Sequence, residues 1–188
     1  MLKYIEEYQR HILISGFKNA KIKDIEKLLE HVSSRKMPKT EIQFLNADLI
    51  ATWQHLYFAV LNALVAFKNK QNISKSLAME TILYASAQRQ IRKAVELLGI
   101  KSDTSNIAVV AIGENPETLR LVTLSLEECI GAKEDETVLE LSDRKTRIIR
   151  IAFEVSDLEL ETVRKGDGLK KALVDLIIER MALLATQH

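Results

Sequence analysis

One segment constrains this chain more than any other. Residues 52–68 read as a helix that is apolar on nearly every side. Leu56, Ala59, Val60, Ala63, Leu64 and Phe67 recur at helical spacing, and Tyr57, Phe58, Leu61 and Val65 cover most of the remaining circumference. Such a helix has little solvent face to offer, so it belongs at the centre of a fold rather than on its rim. Its apolar stretch, residues 56–67, is interrupted by Asn62 and falls well short of the ~20 residues a bilayer span needs. The chain of 188 residues is sized for a single domain, and residues 1–188 are expected to form one.

Strands and further helices must then surround this centre. Residues 107–112, Ile-Ala-Val-Val-Ala-Ile, are the strongest strand signal. Residues 11–14 form a second apolar run, closed by Ser15 and Gly16, and residues 40–45 form a weaker third. Ile22, Ile25, Leu29 and Val32 recur at helical spacing in a surface helix that Pro38 stops. Ser74 is placed to cap one continuous helix through Leu98, with Met79, Leu83, Ala87, Ile91, Val95 and Leu98 on one stripe and Gly99 as its left-handed end. Asn115, Pro116 and Glu117 start another helix, whose apolar face is Leu119, Val122, Leu126 and Cys129 and which Gly131 ends.

Residues 137–141 suit a short edge strand, and Ser142 caps a helix carrying Ile148, Ile151, Ala152 and Val155. Residues 155–165 are acidic and indeterminate, and Gly166, Asp167 and Gly168 form a loop. Residues 169–186 form the terminal helix, with an apolar face wider than one core contact requires. The expected fold class is α+β: a small, mainly antiparallel sheet of three to four strands surrounded by helices, with the C-terminal helix available for partner docking.

Motifs for chemistry are missing. No GxxxxGK[ST] or GxGxxG phosphate loop and no GxSxG elbow occurs. His11, His31, His55 and His188 are scattered, and the single Cys129 on an apolar helix face reads as a core residue. No catalytic residue, metal, cofactor or small-molecule substrate is therefore expected, and His55 is read as a partly buried hydrogen-bonding group. Lys3, Glu6, Glu7 and Arg10 stand where a secretion signal would be apolar, which with one cysteine points to the cytoplasm.

The formal net charge is only +1. That average hides segregation. Residues 68–101 carry seven basic against two acidic side chains, whereas residues 114–143 carry nine acidic against two basic. The basic segment suits a phosphate backbone, and it equally suits an ordinary solvated helix face. Gln88, Arg89 and Gln90 add groups that stack on bases or read their edges. Asn72 and Ser74 at a helix start either present N–H groups to an anion or simply cap.

Five strings, in order along the chain, carry a resemblance. They are Phe44-Leu45-Asn46-Ala47-Asp48, His55-Leu56, Asn72-Ile73-Ser74-Lys75-Ser76-Leu77-Ala78-Met79-Glu80, Ala85-Ser86-Ala87-Gln88-Arg89-Gln90-Ile91 and Ile177-Ile178-Glu179-Arg180-Met181. Together they resemble the kinase-binding small subunit of the KEOPS complex, called in animals the PRPK-binding protein, in its archaeal form. The resemblance implies a non-catalytic subunit of a complex that makes the threonylcarbamoyl modification of adenosine in tRNA. Its implied partners are the small atypical kinase/ATPase subunit of KEOPS and the single-stranded 3′ CCA end of the tRNA, with the chain a monomer alone and part of a heteromer in the complex.

Carried onto this sequence, the RNA-binding residues are Lys70, Asn72, Lys75, Ser76, Gln88, Arg89 and Gln90. The kinase-binding residues are Leu173, Leu176, Ile177, Arg180 and Leu184, which alternatively pack against this chain's own sheet. A pure protein-interaction module without RNA binding is the other reading. The chain departs from the pattern at Ala87, where archaeal members carry Gly, and in the acidic stretch 154–165.

Overall fold

In a computed structural model, residues 1–22, 25, 27, 28, 30, 39–164, 168–184 and 186 are described. Four strands, β1 (Leu2–Ile5), β2 (Arg10–Phe17), β3 (Thr40–Asn46) and β4 (Ile107–Gly113), form one antiparallel sheet in the order β1-β2-β4-β3. Among the described residues, the helices with both ends defined are α1 (Trp53–Lys68), α2 (Leu77–Ala85), α3 (Ile91–Leu98), α4 (Pro116–Ile130), α5 (Asp143–Ala152), α6 (Asp157–Val163) and α7 (Leu169–Leu184). The α+β expectation holds, with β1 added at an edge that the sequence reading did not assign.

Alternation along β4 explains why its whole run is apolar. Ala108, Val110 and Ile112 enter a large core with Ile12, Ile14 and Leu45, beneath α1, α2 and the C-terminal helices. Ile107, Val109 and Ala111 enter a second core on the opposite sheet face, with Leu13, Phe17 and Phe44 beneath α4. Successive strand side chains point to opposite faces, so a strand covered on both sides is apolar throughout. The fully buried Leu56, Ala59, Val60 and Ala63 put α1 at the middle of the larger core, as its composition requires.

Several boundaries differ from expectation. β2 does not close at Ser15 and Gly16 but continues to Phe17. Gly16 is there for close approach: a Cβ would lie 2.4 Å from Val138 Cγ2 and 2.9 Å from Asp135 O. The chain after Asp135 is not an edge strand. Glu136–Leu139 is a 3-10 turn, because the Asp135 carboxylate accepts from the Thr137 N–H at 3.0 Å and fixes the turn.

The helix expected over residues 22–32 lies mostly outside the described residues, as do Ser33, Ser34 and Pro38; Ile25, Lys27, Leu28 and Glu30 are helical. Of the expected loop 166–168, only Gly168 is described. In α5 the inward residue is Ile149, fully buried, while Ile151 is 80% exposed, so the predicted apolar face is displaced by part of a turn. The helix ends at Ala152, and the turn beyond it brings Phe153 and Val155 into the core instead. Cys129 is half-buried and Ile130 takes the core position. Residues 157–163, part of the indeterminate stretch, are the helix α6, closed at its start by a reciprocal Ser156–Glu159 capping box.

Candidate functional site

The single helix expected from Ser74 to Leu98 is two helices, and the break is the most informative local departure. α2 ends at Ala85. The Ala87 N–H donates to Tyr84 O and the Gln88 N–H to Leu83 O, the bond pair of a Schellman motif. Its left-handed position is Ala87, at φ 51°. Gly99, the expected left-handed end of the helix, is extended at φ −65°. A Cβ on Gly99 would meet Val95 O at 2.4 Å, so close backbone approach is what needs a glycine there.

The same motif closes two other helices. At the end of α1, Lys70 (φ 57°) donates to Phe67 O and Gln71 to Ala66 O. At the end of α5, Glu154 (φ 52°) donates to Ile151 O and Val155 to Arg150 O. All three left-handed positions carry a side chain where glycine is favoured, and each costs about 1 kcal/mol.

The N-terminal end of α2 is held by carboxylates. Glu80 is fully buried, and its oxygens accept from the Ile73 N–H (3.1 Å) and the Ser74 N–H (2.7 Å). Glu41, from β3, accepts from Ser76 Oγ at 2.7 Å and from the Ala78 N–H at 2.8 Å. Ser76, not Ser74, is the N-cap, accepting from the Met79 N–H. Of the N–H groups expected to be offered to an anion, that of Ser74 is thus already engaged by the chain's own Glu80, together with its neighbour on Ile73. A lone Glu in the apolar run Leu77–Ala85, behind a loop rich in Ser and Asn, was the available sequence signal for Glu80.

The C-terminal end of α2 is held by a neutral imidazole. His55 is fully buried. Its Nδ1 accepts from the Ala51 N–H at 3.2 Å, which leaves Nε2–H to donate to Ala85 O at 2.7 Å. Burial pushes its pKa down to about 4, opposed by the Ala85 hydrogen bond. Phe153 packs edge-on against the ring at 5.8 Å. A cleft of about 280 Å³ lies beside this end of the helix, lined by residues that include Ala87, Gln88, Phe153, Glu154, Arg180 and Leu183.

Of the RNA-binding candidates, Lys70, Lys75, Arg89 and Gln90 are exposed. Asn72 and Ser76 are half-buried; the Asn72 amide donates to Ser74 O, and Ser76 caps α2. Gln88 is half-buried in the wall of the cleft, and Arg89 makes a long bond to Leu184 O at 3.4 Å. The set therefore divides between the two ends of a nine-residue helix, about 13 Å apart along its axis.

The kinase-binding candidates are placed otherwise. Leu173, Leu176, Ile177 and Leu184 are buried in the larger core. Arg180 spans three elements: it donates to Phe153 O after α5, to Glu159 of α6 at 2.6 Å, and itself belongs to α7. Hydrogen bonds from the Ser156 N–H and hydroxyl, with Arg180 next in size, hold the Glu159 carboxyl down at about 2. On α7 the apolar residues left at the surface are Leu169 and Leu183, with Val174 and Ile178 partly buried.

Among the described residues, no group of three or more His, Cys, Asp or Glu is placed to hold a metal ion, and no helix is long and apolar enough to cross a membrane.

Comparison with known proteins gives a consistent result. The profile of the family described as kinase binding protein CGI-121 matches residues 17–185. The chain is 35% identical over 144 residues to the regulatory protein Cgi121 of Methanocaldococcus jannaschii, covering 77% of this chain and 83% of that one. It is 25% identical over 133 residues to the EKC/KEOPS complex subunit cgi121 of Aspergillus terreus, covering 68% and 67%. It is 24% identical over 136 residues to the corresponding subunit of Coccidioides immitis, covering 70% and 65%.

Proposed function

The chain belongs to the CGI-121 kinase-binding protein family, and from that premise we propose that it is a non-catalytic subunit of a KEOPS-type tRNA-modifying complex, binding both a small kinase/ATPase and the single-stranded 3′ end of tRNA. Family membership carries the kinase half of this reading. The kinase docks on the outer flank of α7, through the partly buried Val174 and Ile178, which lie side by side on it. The buried Leu173, Leu176, Ile177 and Leu184 hold that helix to the core from beneath. Arg180 fixes its orientation through Glu159 and the chain after α5.

Exposed cations at both ends of α2 support the RNA half. Lys70 and Lys75 stand at one end and Arg89 with Gln90 at the other. Eight of the nine residues of α2 are buried, so an unpaired RNA end bridges the two ends of the helix across the surface, meeting ammonium groups at one and a guanidinium able to stack or to grip phosphate at the other. The four residues come from loops and caps beside the main chain of Ser74, Ala78 and Ala85, which Glu80, Glu41 and His55 hold.

Arg89→Glu is expected to weaken retention of tRNA at least tenfold in a filter assay while co-purification with the kinase is unchanged. Val174→Glu with Ile178→Glu should do the reverse. Equal tRNA retention by the Arg89 variant and the parent sinks the RNA assignment. One observation favours the alternative of a pure protein-interaction module: the Ile73, Ser74 and Ala78 N–H groups at the start of α2 already donate to Glu80 and Glu41.

A further inference from the structure

α4 has two apolar faces, and the fold uses one. Leu119, Val122, Leu126 and Ile130 face the sheet and are at most 1% exposed. Leu121 and Leu124 are 63% and 61% exposed. On 100° steps they lie about 180° from the buried face. With Glu117 and Glu128, also exposed, they form a stripe spaced four, three and four residues apart. That is the spacing with which one helix seats the knobs of another. The stripe is about 16 Å long, apolar in the middle and acidic at both ends.

Its position separates it from both surfaces discussed above. α4 covers the second core, across the sheet from α1, α2 and α7. A partner seated on α4 therefore leaves the outer flank of α7 and the ends of α2 open.

We propose that the outer face of α4 is a docking seam for a basic amphipathic helix. Leu121 and Leu124 would interdigitate with apolar residues at three- and four-residue spacing in that helix, and Glu117 and Glu128 would meet Lys or Arg at its two ends. Charge decides against a second copy of this chain. Two antiparallel α4 seams bring Glu117 of each against Glu128 of the other, and like charges in apposition oppose pairing. Arg120 shares the exposed side of α4 but lies 3.4 Å from Glu117, so the seam keeps an acidic excess. A seam of this length buries less than a standard interface, which places the complex among transient ones.

The test uses the full chain, isotopically labelled, and a synthetic 18-residue helical peptide with leucines at three- and four-residue spacing and lysines flanking both ends. Amide shifts confined to residues 117–128, saturating with peptide, are the expected result. Leu121→Ser with Leu124→Ser should weaken binding at least tenfold. Glu117→Lys with Glu128→Lys should transfer preference to the same peptide flanked by glutamates. Both double variants alter solvent-facing side chains, so unchanged shifts elsewhere report an intact fold. No binding, shifts centred outside α4, or affinity indifferent to either double variant overturns the proposal. Concentration-dependent shifts of 117–128 without peptide overturn it in favour of self-association.

Discussion

The two ends of α2 are held by opposite means, although the proposed RNA contact uses both. At the first end, buried Glu80 and half-buried Glu41 collect four hydrogen-bond donors from residues 73–78. At the second, a neutral histidine grips the last carbonyl, and the turn beyond it runs through a strained alanine. The first end is fixed by carboxylates and bears no left-handed residue from Gln71 to Leu77, the nearest being Lys70 at the close of α1. The second is fixed by an uncharged bond and stores strain where Arg89 and Gln90 are displayed. A single short helix thus presents one electrostatically locked end and one that is easily loosened.

The largest test of this contrast is Glu80→Ala. It leaves the Ile73 and Ser74 N–H groups without their acceptor and removes charge-assisted bonds, so a loss of about 4 kcal/mol is expected in urea unfolding. A loss under 1 kcal/mol would mean that the carboxylate does not hold the loop. Next is acid. The His55 pKa is lowered in the folded chain, so its contribution is complete above about pH 6.5 and is lost as pH falls toward about 4. The loss amounts to roughly 3 kcal/mol. Unfolding of a His55→Gln variant followed across that window should show a slope shallower by one proton; parallel slopes contradict the assignment.

The smallest effect has the opposite sign. Ala87→Gly relieves the left-handed strain and should stabilise by about 0.5–1 kcal/mol, read as a higher urea midpoint at unchanged slope. If it destabilises, the turn is not strained in the way its φ indicates. A stabilised Ala87→Gly chain that also binds RNA more tightly would tie the strain to the contact surface.

What was legible in the sequence follows where one residue decides one feature. The central helix, the strand β4 and the Asn115 and Ser142 caps were read from local pattern, and the structure keeps them. Local pattern failed where a distant group overrides it. The apolar stripe through Met79, Leu83, Ala87 and Ile91 favours one helix, and only His55, thirty residues before Ala85, fixes the carbonyl at which the chain turns. Residues 137–141 have strand-like composition, yet β2 pairs with β1 and β4 on its two edges, and packing of the turn against Gly16 settles their conformation. The apolar width of α7 was visible, and packing against this chain's own sheet was one of two readings of Leu173, Leu176, Ile177 and Leu184, but local pattern could not choose between them. That outcome depends on α1 and α6 arriving beside it.

If both ends of α2 hold phosphate of an unpaired tRNA end, tRNA binding depends on salt, and it does so differently with the 3′ CCA intact or removed. For the parent chain and intact tRNA, log affinity should fall with log salt at a slope of about −2, the value for three single-strand phosphate contacts. Lys70→Glu with Lys75→Glu, and separately Arg89→Glu, should each flatten that slope, and removing CCA should flatten it further. A parent slope near zero, or one indifferent to loss of the CCA end, would contradict the account.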